Sequence, residues 1–86
     1  MTIRYHRRFI KKFQKLPDKI RENFFERLEL SQNEPFHPLL NNHSVESAYQ
    51  NWRSINITGD YRALYEVGEE DVVVFMKIGT HSELYG

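Results

Sequence analysis

The chain changes its hydrophobic period once, at a polar stretch that ends near residue 50. Before it, Phe9, Ile10, Phe13 and Leu16 recur at three- and four-residue spacing, with Arg7, Arg8, Lys11, Lys12 and Lys15 on the other side. That spacing predicts an amphipathic helix. Pro17 interrupts the pattern and is well placed to open a second helix. The apolar face of that helix is Ile20, Phe24, Phe25 and Leu28, and it runs to about Leu30 or Ser31. Ahead of both helices, Thr2 to Tyr5 can form a short strand. The segment SQNEPFHPLLNNHS carries two prolines and three asparagines and reads as a connecting loop.

Beyond the loop the period is two. In WRSINIT, Arg53, Ile55 and Ile57 alternate with Trp52, Ser54, Asn56 and Thr58. Gly59-Asp60 breaks this run, YRALYEV begins a second, and Gly68-Glu69-Glu70-Asp71 has the composition of a hairpin loop. DVVVFMKIG, dense in β-branched residues, is the third strand. Three hairpin-linked strands pair antiparallel, and the helices cover one of their faces. The expected architecture is one α+β domain over residues 1–86 in the order β-α-α-β-β-β. Its two N-terminal helices pack on one face of a mainly antiparallel sheet.

Strand alternation then sorts the polar residues. Tyr61, Ala63, Tyr65 and Val67 point one way, and Asp60, Arg62, Leu64 and Glu66 the other. With Ile55 and Ile57 in the core, Ser54, Asn56 and Thr58 face outward, so Asn56, Asp60 and Arg62 can converge on an open face. Lys77, alternating with Met76 and Ile78, is a further member. Any half-solvated antiparallel sheet also displays a polar outer face. Trp52 and Tyr65 read as packing residues.

Composition narrows the chemistry. At 86 residues with 40% hydrophobic and 14% aromatic content, the chain can pack one small core. The absence of cysteine excludes a disulfide framework and a thiolate zinc site. No apolar run approaches the ~20 residues of a membrane span, and the basic start MTIRYHRRFIKKF lacks the features of a secretory signal. A soluble cytoplasmic protein with no membrane partner is expected. The formal net charge of zero conceals an asymmetry. Residues 1–27 hold nine Lys/Arg against three acids, net +6, and residues 28–86 hold three against nine, net −6. Such a split suits a basic surface that meets phosphate or an acidic partner, and it also fits an ordinary pair of solvated basic helices.

No P-loop, Rossmann fingerprint, nucleophile elbow or metalloprotease helix is present. His6, His37, His43 and His81 lack a short metal-binding spacing, so no metal and no cofactor are expected. RNA cleavage without a metal needs a base for the ribose 2′-hydroxyl, a cation for the phosphate and an acid for the departing 5′ oxygen. Histidine suits either proton transfer, arginine suits the phosphate, and aromatic rings hold splayed bases. His81, Asp60, Arg62, His43 and Tyr85 can fill those roles if the fold gathers them. Each also has a structural use: His81 as the end of a strand, Asp60 as a turn residue, His43 as a loop residue. Arg62 can likewise pair on the surface with Glu66 or Glu46.

Trp52-Arg53-x-x-x-Ile57, Asp60-Tyr61-Arg62-Ala63-Leu64-Tyr65 and Gly79-Thr80-His81-Ser82-Glu83-Leu84-Tyr85 resemble the RelE/ParE toxin superfamily, and the YafQ branch most. The similarity extends over the two basic helices and the Leu16-Pro17 break. It implies the toxin of a type II toxin–antitoxin pair, an endoribonuclease that cuts mRNA on the ribosome and is silenced by a cognate protein antitoxin. Position by position, it implies catalytic roles for His81, Asp60 and His43. Arg62 matches the arginine used on the scissile phosphate, and Tyr85 falls where the family places an aromatic near the substrate. Asn56, Lys77 and Arg53 are taken as further substrate-binding residues. YafQ-like enzymes often carry a histidine where this chain has Asn56, and the family is usually strongly basic. Two alternatives accompany this reading: a ParE-like toxin that poisons a topoisomerase, and a degenerate toxin kept as an antitoxin-binding module.

Overall fold

A computed structural model of the chain describes residues 1–45 and 49–85. The elements are β1 (Thr2–Tyr5), α1 (Arg7–Gln14), α2 (Asp18–Asn33), β2 (His43–Ser44), β3 (Trp52–Asn56), β4 (Tyr61–Val67), β5 (Val72–Thr80) and α3 (His81–Tyr85), with a 3₁₀ turn at Pro38–Leu40. Five strands form one sheet in the order β1-β5-β4-β3-β2. The pair β1–β5 is parallel and the other pairs are antiparallel. The expected α+β arrangement of two helices on a mainly antiparallel sheet is therefore present. Two short elements add to it. The two-residue β2 lies at the end of the expected loop, and α3 occupies the expected tail.

The helix-covered face holds the core. Phe9, Leu16, Phe24, Leu40, Ile55, Ile57, Ala63, Phe75 and Ile78 form one buried cluster, with Tyr61 and Tyr65 packed against it. Phe24 is at its centre, its ring 5.1 Å from Phe75, 5.3 Å from Phe13 and 5.4 Å from Phe9, in tilted and edge-on arrangements. Such geometries suit the quadrupoles of aromatic rings.

Phe75 and Ile78 are three residues apart on one strand, yet both are buried. Strict alternation forbids this. The ladder explains it: Tyr65 pairs with Phe75 but Leu64 pairs with Lys77, so Met76 is an extra residue at a bulge. The bulge returns Phe75 and Ile78 to the core and leaves Met76 and Lys77 bordering one groove on the outer face.

That outer face is partly covered. Leu64 and Ser54 have no exposed surface, and Val45 has 5%. Tyr49 stacks on Trp52 of β3 at 4.4 Å between ring centroids, and Lys77 of β5 donates to its hydroxyl at 3.1 Å. Tyr49 thus bridges the face across β4. Trp52, read as a packing residue, belongs to this outer layer, while Tyr65 packs in the core as expected.

Candidate active site

An open cleft of about 410 Å³ lies on the outer face between β2 and α3, lined among others by His43, Ser54, Arg62, His81 and Tyr85. Four of the sequence-selected residues meet there, carried by three different elements. The side chains of His43 and Arg62 reach it from β2 and β4, and those of His81 and Tyr85 from α3.

His43 pairs in register with Ser54 at the sheet edge. Its Nδ1 lies 2.7 Å from the carbonyl oxygen of Asn41. A carbonyl only accepts, so Nδ1 carries a proton and donates it there. In the neutral ring this leaves Nε2 with a free lone pair. Arg62 is fixed differently. Its Nη1 donates to the carbonyls of Thr58, Gly59 and Tyr61 at 3.0, 3.1 and 3.1 Å. The turn thereby anchors one end of the guanidinium, and no described residue accepts from Nε or Nη2. Glu66 instead accepts from Trp52 Nε1 at 3.2 Å, and Glu46 lies outside the described residues.

The chain end is folded back. Thr80 and Glu83 cap α3 reciprocally: Thr80 Oγ1 accepts the Glu83 N–H at 3.2 Å, and Glu83 Oε1 accepts the Thr80 N–H at 2.8 Å. The other Glu83 oxygen pairs with Lys12 Nζ of α1 at 2.7 Å. The His81 N–H donates to the Asp60 carbonyl at 3.1 Å, and the His81 and Tyr85 rings lie 4.9 Å apart. Gly79 makes room for this fold-back, since a Cβ there would stand 3.0 Å from Glu83 Oε1. Sequence reasoning passed over Glu83 and Lys12. Thr80-x-x-Glu83 is a capping-box signature and would have located one of them.

Hydrogen bonds from Lys12 and from the Thr80 N–H lower the Glu83 carboxyl from 4.5 to about 2. A folded-state value below the unfolded one means that the ionised tether is fully present above pH ~4.5 and is lost as pH falls towards 2. Protection of the α3 amides, relative to their intrinsic exchange at each pH, is expected to fall through that window in the wild type. In Glu83→Gln it is expected to be low from the start and to lack that pH step. The looser His81 is expected to lower activity by ~10–10²-fold, and a variant with wild-type exchange and activity would rule the tether out.

The remaining sequence-selected residues are placed elsewhere. Asp60 is exposed in the β3–β4 turn and meets His81 through its main-chain carbonyl, so its carboxylate does not line the cleft. Asn56 pairs in register with Arg62, and its buried Oδ1 has no hydrogen-bond partner among the described residues. Lys77 lies in the neighbouring groove. Arg53 is on the opposite face: it pairs with core-facing Tyr65, donates to Asn42 Oδ1 at 2.7 Å and covers the Phe36 ring. Arg53 therefore does not line the cleft. Alternation with Ile55 and Ile57 had already put it on that side. Among the described residues no three His, Asp or Glu side chains converge as metal ligands.

The fold is similar to those of several solved toxins. A YoeB/ParE toxin from Agrobacterium tumefaciens superposes with a TM-score of 0.77 at 16% identity, covering 94% of this chain and 99% of that one. YafQ from E. coli gives 0.73 at 22% identity, covering 98% and 97%. The RelB–RelE antitoxin–toxin complex from Methanococcus jannaschii gives 0.73 at 23%, covering 95% and 94%. No curated protein sequence matches the chain at a significant level. A family model of the ParE toxin of type II toxin–antitoxin systems matches residues 3–85, and the chain belongs to that family.

Proposed function

We propose that this toxin is a metal-independent endoribonuclease that cleaves mRNA on the ribosome. The observation that supports the reading best is the cleft in which two imidazoles, one arginine and one phenol share a single opening. In the proposed reaction His43 Nε2 takes the proton of a ribose 2′-hydroxyl, whose oxygen attacks the adjacent phosphorus. The free edge of Arg62 stabilises the charge that develops on the phosphate. His81 gives its proton to the departing 5′ oxygen. The 2′–O–P bond forms as the P–O5′ bond breaks, leaving a 2′,3′-cyclic phosphate and a 5′-hydroxyl. Tyr85, beside His81, is placed to hold a neighbouring base. Asp60, with its carboxylate outside the cleft, leaves the base role to His43.

The partner that silences it is a cognate protein antitoxin, as RelB partners RelE in the archaeal complex. Exposed Tyr5, Ile10 and Phe25 border an apolar groove of about 150 Å³ between α1 and α2, and the charged residues of α1 are all basic. That surface suits an acidic amphipathic segment that orders on binding.

The family model carries a second reading, a ParE-like toxin acting on a topoisomerase. Induced expression of wild type and Arg62→Ala separates the two. Growth arrest with mapped mRNA cuts, both lost in Arg62→Ala, is the expected result. Arrest that persists in Arg62→Ala, with intact mRNA and inhibited gyrase supercoiling, would replace the ribonuclease reading. Antitoxin binding without arrest would point to a degenerate toxin.

A further inference from the structure

Helix α1 begins against an electrostatic rule. Its first turn holds Arg7 and Arg8 and no acid, although cations are disfavoured beside the positive end of a helix dipole. Neither arginine has an ion-pair partner among the described residues, where the pairs are Met1–Asp71, Lys12–Glu83 and Arg21–Asp18. Both line a groove of about 460 Å³ with His6, Trp52, Met76 and Lys77. Among the described residues, all the charged side chains of that lining are cationic. His6 accepts the Arg8 N–H at Nδ1, so in the neutral ring the imidazole proton sits on Nε2 as one more donor.

An aromatic platform completes the groove. Trp52 is half-buried with Tyr49 stacked on it. The Lys77 ammonium sits 4.9 Å over the Tyr49 ring. Glu66, the carboxylate nearest in register to Trp52, is occupied by the indole N–H. Cations alternating with aromatic surface are what single-stranded nucleic acid binding uses.

The groove also stands in a defined relation to the cleft. Ser54 in the cleft, Leu64 and Lys77 in the groove form one row across β3, β4 and β5. Two strand spacings are about 10 Å, which is roughly three nucleotides at the ~3.4 Å rise of a stacked strand. We propose that this groove is a second subsite for the RNA strand, taking phosphates and a base about three nucleotides from the bond cut in the cleft. The proposal rests on the ribonuclease reading of that cleft. It assigns to Arg7, Arg8 and Trp52 a binding role that the cleft does not require.

The test uses binding, not turnover. Trp52 is the single tryptophan, so its fluorescence reports on the groove. With 2′-O-methyl RNA, which lacks the attacking hydroxyl, a ten-nucleotide strand is expected to quench Trp52 and to bind about tenfold more tightly than a trinucleotide. Arg7→Gln/Arg8→Gln is expected to remove the quench and that tenfold advantage. It should also lower the slope of log affinity against log salt by about 1.4, from ~0.7 per phosphate. Glutamine is a good helix former and relieves the repulsion at the first turn, so the double variant should melt no lower than wild type. Trinucleotide binding should be unchanged.

Unchanged ten-nucleotide affinity and slope in the double variant would overturn the subsite. So would quenching of wild-type Trp52 by oligoglutamate but not by RNA, which would make the groove a site for an acidic peptide. The failure of the ribonuclease reading looks different: cleavage absent or indifferent to Arg62→Ala, whatever the groove binds.

Discussion

Replacing His81 with alanine is expected to slow RNA cleavage by about 10²–10⁴-fold, the usual contribution of a positioned general acid or base. The fold should be almost unaffected, because the His81 ring is exposed and its contact is the Tyr85 ring. The hydrogen bond to Asp60 comes from the His81 main chain and survives the substitution. If His81 protonates the leaving oxygen, a substrate with sulfur at the bridging 5′ position has little need of it, since a thiolate departs without a proton. His81→Ala should then regain most of its lost rate on that substrate, whereas His43→Ala should stay slow because attack by the 2′-hydroxyl still needs a base. Equal deficits for both variants on both substrates would reject the division of roles. A His81→Ala enzyme as active as wild type would reject the site.

The largest effect on stability is expected from Phe24→Ala. Phe24 has no exposed surface and its ring meets those of Tyr5, Phe9, Phe13, Phe25 and Phe75. Truncating a buried phenylalanine costs about 3–5 kcal/mol, from lost transfer energy and the cavity left behind. Total stability of ~4–13 kcal/mol is usual for a chain of this length. The melting temperature should therefore fall by roughly 15–30 °C in scanning calorimetry. Phe25, 53% exposed, is the control, and Phe25→Ala should cost less than about 1 kcal/mol. A fall below about 5 °C for Phe24→Ala would show that the helices are not held through this cluster. The consequence reaches the site, because α1 carries the Lys12 that tethers Glu83 and with it the histidine-bearing end.

How much of this was legible beforehand depends on the range of the forces involved. The two helices and the three-strand meander were readable because each expresses a local period: apolar residues at three and four in one half, at two in the other. Pro17, Gly59-Asp60 and Gly68–Asp71 punctuate them where the structure does. The resemblance named His43, Arg62, His81 and Tyr85, and the fold brings those four into one cleft. It also named Asp60, whose carboxylate lies outside, because motif spacing does not say which atom of a turn residue faces inward.

What the chain determined by itself was the set of elements, the core face of each strand up to the bulge, and the residue types that acid–base chemistry on a phosphate requires. Tertiary structure alone decided the rest. The parallel pairing of β1 with β5 joins residues about 70 positions apart, for which no local signal exists. The Met76 bulge inverts the alternation and is set by the need to bury both Phe75 and Ile78. The folded-back α3 carries an ion pair from Lys12 to Glu83, across 71 positions. The basic groove arises because packing places Arg7 and Arg8 of α1 beside Trp52 and Lys77. Short-range sterics and periodicity act within a few residues and can be read in order along a chain. Packing and long-range charge act between surfaces that become neighbours only when the chain has folded.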